Sequence, residues 1–142
     1  MQKNAQEHII TNEADLEKIV FTLNAGDRIF FSGDLGSGKS TFIRHLIRKH
    51  TNNPGLIVRS PTYTYYQKYE NIYHCDLYRL EDYSSWVSIG GKEIADDSES
   101  ILLIEWPNIV SSDIVPSKTV QIEIIEDEMR KITITDFSVS PE

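Results

Sequence analysis

The stretch Arg28-Ile29-Phe30-Phe31-Ser32-Gly33-Asp34-Leu35-Gly36-Ser37-Gly38-Lys39-Ser40-Thr41 decides how this chain is read. Its opening, centred on Ile29-Phe30-Phe31, predicts a short strand. Gly33 through Ser40 then match the spacing G-x-x-x-x-G-K-[ST]. Glycines at those positions let backbone amides turn inward around phosphate oxygens, and the helix that follows aims its N-terminus at them. In that pattern Lys39 reaches the β- and γ-phosphates as a point charge and the Ser40 hydroxyl ligates Mg²⁺. The helix is marked by Phe42, Ile43, Leu46 and Ile47, and Arg48, Lys49 and His50 in its last turn suit its dipole. A glycine-rich turn with an exposed lysine is the plain alternative. The strand before the loop and the helix after it weigh against that alternative.

Working outward toward the N-terminus, Glu7–Ile10 predicts an extended segment and Asn12 a helix cap, with Asp15 three residues on. Leu16, Ile19, Val20 and Leu23 have the spacing of an amphipathic helix that stops at Gly26. Toward the C-terminus, Thr51-Asn52-Asn53-Pro54-Gly55 is a loop and Leu56-Ile57-Val58 a renewed strand. Two aromatic strand-like runs, Thr62–Tyr69 and Ile72–Tyr78, flank Glu70-Asn71. A helical region from about Glu81 is broken at Gly90-Gly91. Ile101–Ile104 predicts a strand buried on both faces, as in a parallel sheet. Val120–Ile124 and Ile132–Thr135 alternate and predict an antiparallel hairpin that turns near Glu126-Asp127-Glu128. Together these elements predict a single α/β domain over residues 1–142: a three-layer sandwich around a mixed, centrally parallel sheet with a C-terminal hairpin.

The size and balance of the chain fit that reading. It has 142 residues, 39% apolar and 25% charged, enough for one domain with a real core. No apolar run has membrane-spanning length, and Met1 to Gln6 offers no hydrophobic stretch for a secretory signal. Cys75 is the single cysteine, which excludes an intramolecular disulfide. A cytoplasmic location without membrane attachment is expected. The 14 Lys and Arg against 22 Asp and Glu leave a net charge of −8, which argues against gripping nucleic acid over the whole surface. The charge is also uneven. Residues 1–79 hold ten basic and eight acidic residues, or +2; residues 80–142 hold four and fourteen, or −10. That asymmetry points to an electropositive working half and an acidic half that faces either a partner or solvent.

A phosphate-binding loop needs an acidic site to hold Mg²⁺ or orient water, and two carboxylates stand at strand ends. Glu105 follows Ile101–Ile104, and Asp76 ends the run Ile72–Cys75. Ser60-Pro61-Thr62-Tyr63 has the place of a switch sensing the γ-phosphate, where Thr62 could offer its hydroxyl to Mg²⁺ or nucleotide. All seven tyrosines fall between Tyr63 and Tyr83, with Lys68 and Arg79 among them. Such a stripe could stack on bases, but it more simply forms the faces of a hairpin. His74-Cys75-Asp76 cannot share one zinc ion, because adjacent strand residues point to opposite faces.

Taken together, Gly33–Thr41, S-P-T-Y at Ser60–Tyr63, H-C-D-L-Y-R-L at His74–Leu80, G-G-K-E-I at Gly90–Ile94 and I-E-W-P at Ile104–Pro107 resemble the TsaE (YjeE) family. These are small bacterial ATPases needed to make N6-threonylcarbamoyladenosine in tRNA. The resemblance implies a P-loop fold in which Asp34, Leu35, Gly36, Ser37, Gly38, Lys39 and Thr41 contact ATP. It implies that Ser40 and Glu105 hold Mg²⁺, that Asp76 lies beside the γ-phosphate or its attacking water, and that Trp106 borders the nucleotide. It also places Glu13 and the hairpin near Met129-Arg130 on the adenosine side, although Met129 stands where the family commonly has glycine. The implied partner is the TsaB–TsaD pair that transfers threonylcarbamoyl to tRNA, so tRNA is met only through that complex. ATP hydrolysis would reset the complex.

Two other classes fit the loop alone: a small-molecule kinase, and a non-catalytic module that binds ATP and docks a partner through its acidic half. A kinase usually carries arginines on a lid, and residues 80–142 contain only Arg130. Among all six arginines, only Arg79, three residues past Asp76, and Arg59, just before Ser60–Tyr63, are expected to approach the site, and neither occupies a dedicated finger loop. Low basal ATP turnover that rises with partners is therefore expected.

Overall fold

Ile29-Phe30-Phe31 does form a strand. In a computed structural model describing residues 4–61 and 63–137, it sits at the middle of a seven-stranded sheet. The strands are β1 (Asn4–Ile10), β2 (Arg28–Ser32), β3 (Tyr66–Tyr69), β4 (Ile72–Asp76), β5 (Ile101–Glu105), β6 (Lys118–Glu126) and β7 (Met129–Asp136). Their order is β1-β7-β6-β2-β5-β4-β3. The central pairs β4–β5, β5–β2 and β2–β6 are parallel, while β3 and the β6–β7–β1 group are antiparallel. The mixed, centrally parallel sheet is thus as expected. β5 is buried at every position, as its unbroken apolar run requires.

Side-chain alternation divides the core between the two faces. Ile29, Phe31, Ile72, Ile101, Leu103, Val120 and Ile122 pack with Phe42, Ile43, Leu46 and Ile47 of α1 (Lys39–His50). On the other face Cys75, Leu102 and Ile104 pack with Trp86 of α2 (Tyr83–Ser88), Val110 and Ile114, and against Ile94 of α3 (Gly91–Asp96). The break at Gly90-Gly91 has a steric reason: a Cβ on Gly91 would lie 2.1 Å from the Trp86 ring. Arg28 braces this layer to the sheet through the carbonyls of Ala95, Asp97 and Ser100, at 2.9, 2.7 and 2.6 Å. Among the described residues no helix is long and apolar enough to cross a membrane.

Three predicted elements differ. The helix expected from Asn12 is a 3-10 helix that ends at Lys18. Its cap is as expected, with the Asn12 side chain accepting from the Asp15 amide at 3.1 Å and Asp15 accepting from Thr11. Beyond it, Ile19-Val20-Phe21-Thr22 is β-branched or aromatic and favours extended backbone. Ile19 and Leu23 still reach the core and Phe21 packs on Phe42, but Val20 is 83% exposed. Leu56-Ile57-Val58 is not a strand. Leu56 and Val58 pack on the core from irregular backbone: the Leu56 amide donates to the Asn53 carbonyl, Arg48 donates to the Leu56 carbonyl, and the Arg59 amide donates to the Tyr69 hydroxyl. The first hairpin is also shorter than expected. Tyr65, at φ 69°, closes a turn onto the Pro61 carbonyl, so β3 begins only at Tyr66.

Candidate functional site

Residues 33–38 turn tightly between β2 and α1, and close packing requires glycine at the first of them. A Cβ on Gly33 would meet the Ile122 carbonyl at 2.5 Å and the Ser37 hydroxyl at 2.7 Å. Gly38, in the left-handed region, opens α1, so Lys39 and Ser40 are its first residues. Lys39 is buried and folds back over the loop. Its Nζ donates to the carbonyl of Gly33 and, at 3.3 Å, to that of Asp34, and lies 4.2 Å from the centre of the Trp106 ring. Burial pulls the ammonium below the usual lysine range, and the carboxylates of Glu105, Asp76 and Asp34 act against that.

The two strand-end carboxylates lie side by side because β4 and β5 are parallel and in register, with Asp76 opposite Glu105. Glu105 Oε2 accepts from Ser40 Oγ at 3.4 Å, bringing together the hydroxyl and carboxylate singled out as metal ligands. Asp76 accepts from the Tyr78 amide at 3.1 Å. Burial pushes its carboxyl above the usual aspartate range, and the neighbouring Glu105 charge adds to this, against the Tyr78 hydrogen bond, His74 and Lys39. Trp106 takes a left-handed backbone at φ 57°, and its ring lies between Lys39 and Tyr78, 5.0 Å from the latter. A cleft of about 330 Å³ is lined by Asp34, Leu35, Gly36, Gly38, Lys39, Ser40, Thr41, Ser60, Asp76, Glu105 and Trp106.

A second cleft, of about 200 Å³, opens on the other side of the same loop and shares Gly36, Gly38 and Thr41 with the first. Ser37, Glu13 and Arg130 line it, over a floor that includes Leu16, Phe42, Ile122 and Ile132. Arg130 is tied to the loop by its Nε, which donates to the Ser37 carbonyl at 3.1 Å, and Glu13 is paired with Arg44 at 3.1 Å. Met129 begins β7, and Arg130 lies opposite both Ile10 and Ile124. Thr62 lies outside the described residues. Neither Arg59 nor Arg79 lines either cleft; the Arg79 guanidinium sits 4.7 Å from the centre of the Tyr63 ring.

Sequence reasoning missed one partner. His74 is 1% exposed, and its Nε2 lies 2.6 Å from Glu105 Oε2. The signal was present: His74 and Asp76 are two apart on one strand and so share a face, while Cys75 points into the opposite layer. Among the described residues no group of three or more His, Cys, Asp or Glu could hold a metal ion without other ligands.

The fold and site define a three-layer α/β protein with its charged groups gathered at the C-terminal ends of parallel strands, beside a glycine-rich loop. More particularly, the chain belongs to the TsaE family: the model for "Threonylcarbamoyl adenosine biosynthesis protein TsaE" matches residues 7–133. The tRNA threonylcarbamoyladenosine biosynthesis protein TsaE of Aquifex aeolicus is 34% identical over 139 residues, 91% of this chain and 95% of that protein. The Borreliella burgdorferi protein of the same name is 41% identical over 101 residues, 68% of this chain and 70% of its own. The crystal structure of Bacillus subtilis YdiB has the same fold, with a TM-score of 0.66 at 22% identity over 96% of this chain and 88% of that one. The family is thus one of tRNA threonylcarbamoyladenosine biosynthesis.

Proposed function

We propose that the chain is a Mg²⁺-dependent ATPase that is slow alone and faster with the TsaB–TsaD pair, supporting threonylcarbamoylation of the tRNA adenosine next to the anticodon. The observation that carries this reading is the convergence of a buried Lys39, a hydrogen-bonded Ser40–Glu105 pair and Asp76 on one cleft beside the glycine-rich loop. The residues suit the ion, since a hydroxyl and a carboxylate are hard oxygen donors of the kind Mg²⁺ takes alongside phosphate and water. When bound there, Mg²⁺ neutralises phosphate charge.

The chain's own groups divide the remaining work. Amides of residues 34–39 cradle phosphate oxygens, and Lys39 leaves its loop carbonyls to bind the β- and γ-phosphates. Asp76, with its raised affinity for a proton, is suited to orient the attacking water and accept a hydrogen bond from it. Trp106 excludes water from one wall. The apolar floor between Glu13 and Arg130 suits the adenosine end. No arginine other than Arg130 lines either cleft, and Arg130 stands on the adenosine side, so an arginine to support Lys39 at the transferring group has to come from outside the chain.

The test is steady-state ATP turnover by the purified chain, alone and with the TsaB–TsaD pair. The reading expects slow release of phosphate alone and at least an about tenfold rise in the complex, as an externally supplied arginine can give. Turnover already near about 10 s⁻¹ with no gain from partners contradicts it. Transfer of phosphate to an acceptor other than water would mark a kinase instead.

A further inference from the structure

The buried His74 on β4 touches Glu105 but has been given no role in the proposed function. It is flanked along its face by Ile72 and across the sheet by Leu103, a place where an apolar side chain would be the simple choice. Its Nδ1 has no hydrogen-bond partner among the described residues. What it does make is the 2.6 Å contact from Nε2 to Glu105 Oε2, shorter than the 3.4 Å contact from Ser40 to the same oxygen. A carboxylate only accepts, so Nε2 carries the proton and donates.

We propose that His74 is a positioning residue for Glu105: it fixes one carboxylate oxygen so that the other is held ready for a divalent cation at the cleft. This rests on the proposed Mg²⁺–ATP site. Without the imidazole, the Glu105 carboxylate turns about its Cγ–Cδ bond and must be re-ordered when the ion arrives. An outer partner of this kind contributes through orientation, and its loss weakens metal binding without touching the groups that hold phosphate.

The experiment is calorimetric binding of a non-hydrolysable ATP analogue to the full chain, in EDTA and in excess Mg²⁺, for wild type and three variants. In His74→Leu, affinity in EDTA should match wild type, while the extra affinity conferred by Mg²⁺ should fall by about 10–100-fold. His74→Asn, whose amide is too short to reach Oε2, should behave as His74→Leu and replaces it should that variant fail to fold. His74→Gln, whose Nε2 can reach Oε2, should restore most of the Mg²⁺ effect. A full Mg²⁺ effect in the Leu or Asn variant overturns the inference, and so does an equal loss with and without Mg²⁺, which a merely structural role would give. Absence of any Mg²⁺ effect in wild type instead overturns the underlying Mg²⁺–ATP reading, whatever the variants do.

Discussion

On the β4–β5 side of the glycine-rich loop the cleft wall carries charged side chains that are almost wholly buried: Lys39 at 5%, Asp76 at 8% and Glu105 at 3% exposed. On the β6–β7 side the floor is Leu16, Phe42, Ile122 and Ile132, and the ionic groups, Glu13, Glu128 and Arg130, stand at a wetter rim. Burying charge is costly and persists where neighbouring charges and hydrogen bonds compensate it. The first side therefore holds two groups with perturbed proton affinities, Lys39 and Asp76, and such a place is where chemistry is expected. The second offers apolar area with a few polar anchors, the composition of a site that binds a flat organic group and does nothing to it. One loop, two walls, and different physics on each.

That contrast can be broken most sharply at Lys39. Replacing it by Ala should lower ATP binding and turnover each by about tenfold or more, read by titration calorimetry and phosphate release. Unchanged values would mean that the buried ammonium is structural. Next comes Glu105→Gln, which keeps the shape and removes the charge. Turnover in Mg²⁺ should drop by about tenfold or more while nucleotide binding in EDTA stays as in wild type. Were full Mg²⁺-dependent turnover to survive, the metal role would pass to Asp76.

Asp76→Asn separates function from stability on the same wall. The folded chain holds the Asp76 proton to higher pH than the unfolded chain does, so ionisation subtracts stability as pH rises from the ordinary value of 3.8 through the raised folded value. Asn removes that loss and still accepts from the Tyr78 amide. Turnover should therefore fall while stability at pH 7 rises, and the gain should vanish toward acid pH below 3.8. Urea melts of both forms across pH check the sign; a destabilised Asn variant at pH 7 would contradict it.

The smallest effect belongs to the other wall. Glu13 is exposed and its pairing with Arg44 is a surface one. Glu13→Ala should weaken ATP by about threefold and leave inorganic triphosphate binding unchanged, because the proposed reading puts only the nucleoside end near it. Equal weakening of both ligands would place the triphosphate, not the nucleoside, on this side.

The two walls were also unequally legible. The glycine-rich loop, its strand and its helix are contiguous, so local spacing specifies them, and a carboxylate after an apolar run marks a strand end wherever that strand pairs. What spacing cannot supply is register. That Asp76 stands opposite Glu105, and that His74 thereby reaches Glu105, follows only from the parallel pairing of strands almost thirty residues apart. The second wall depends wholly on such pairings: Ile10 opposite Arg130 brings the first strand to the last. Glu13 and Arg130 were therefore reached through family resemblance and not through their local sequence. Residues 16–23 misled for a different reason. Leu16, Ile19 and Leu23 do face the core, but β-branched residues after Lys18 reach it from extended backbone, so a helical period was satisfied without a helix.

The most direct measurement is a crystal structure of the chain with Mg²⁺ and a non-hydrolysable ATP analogue. The triphosphate should lie in the amides of residues 34–39 with Lys39 turned onto it. The ion should stand between Ser40 and Glu105, and the adenine over the Ile122–Ile132 floor. Phosphates bound away from this loop, or a metal ion with neither Ser40 nor Glu105 in its coordination sphere directly or through water, would contradict the account.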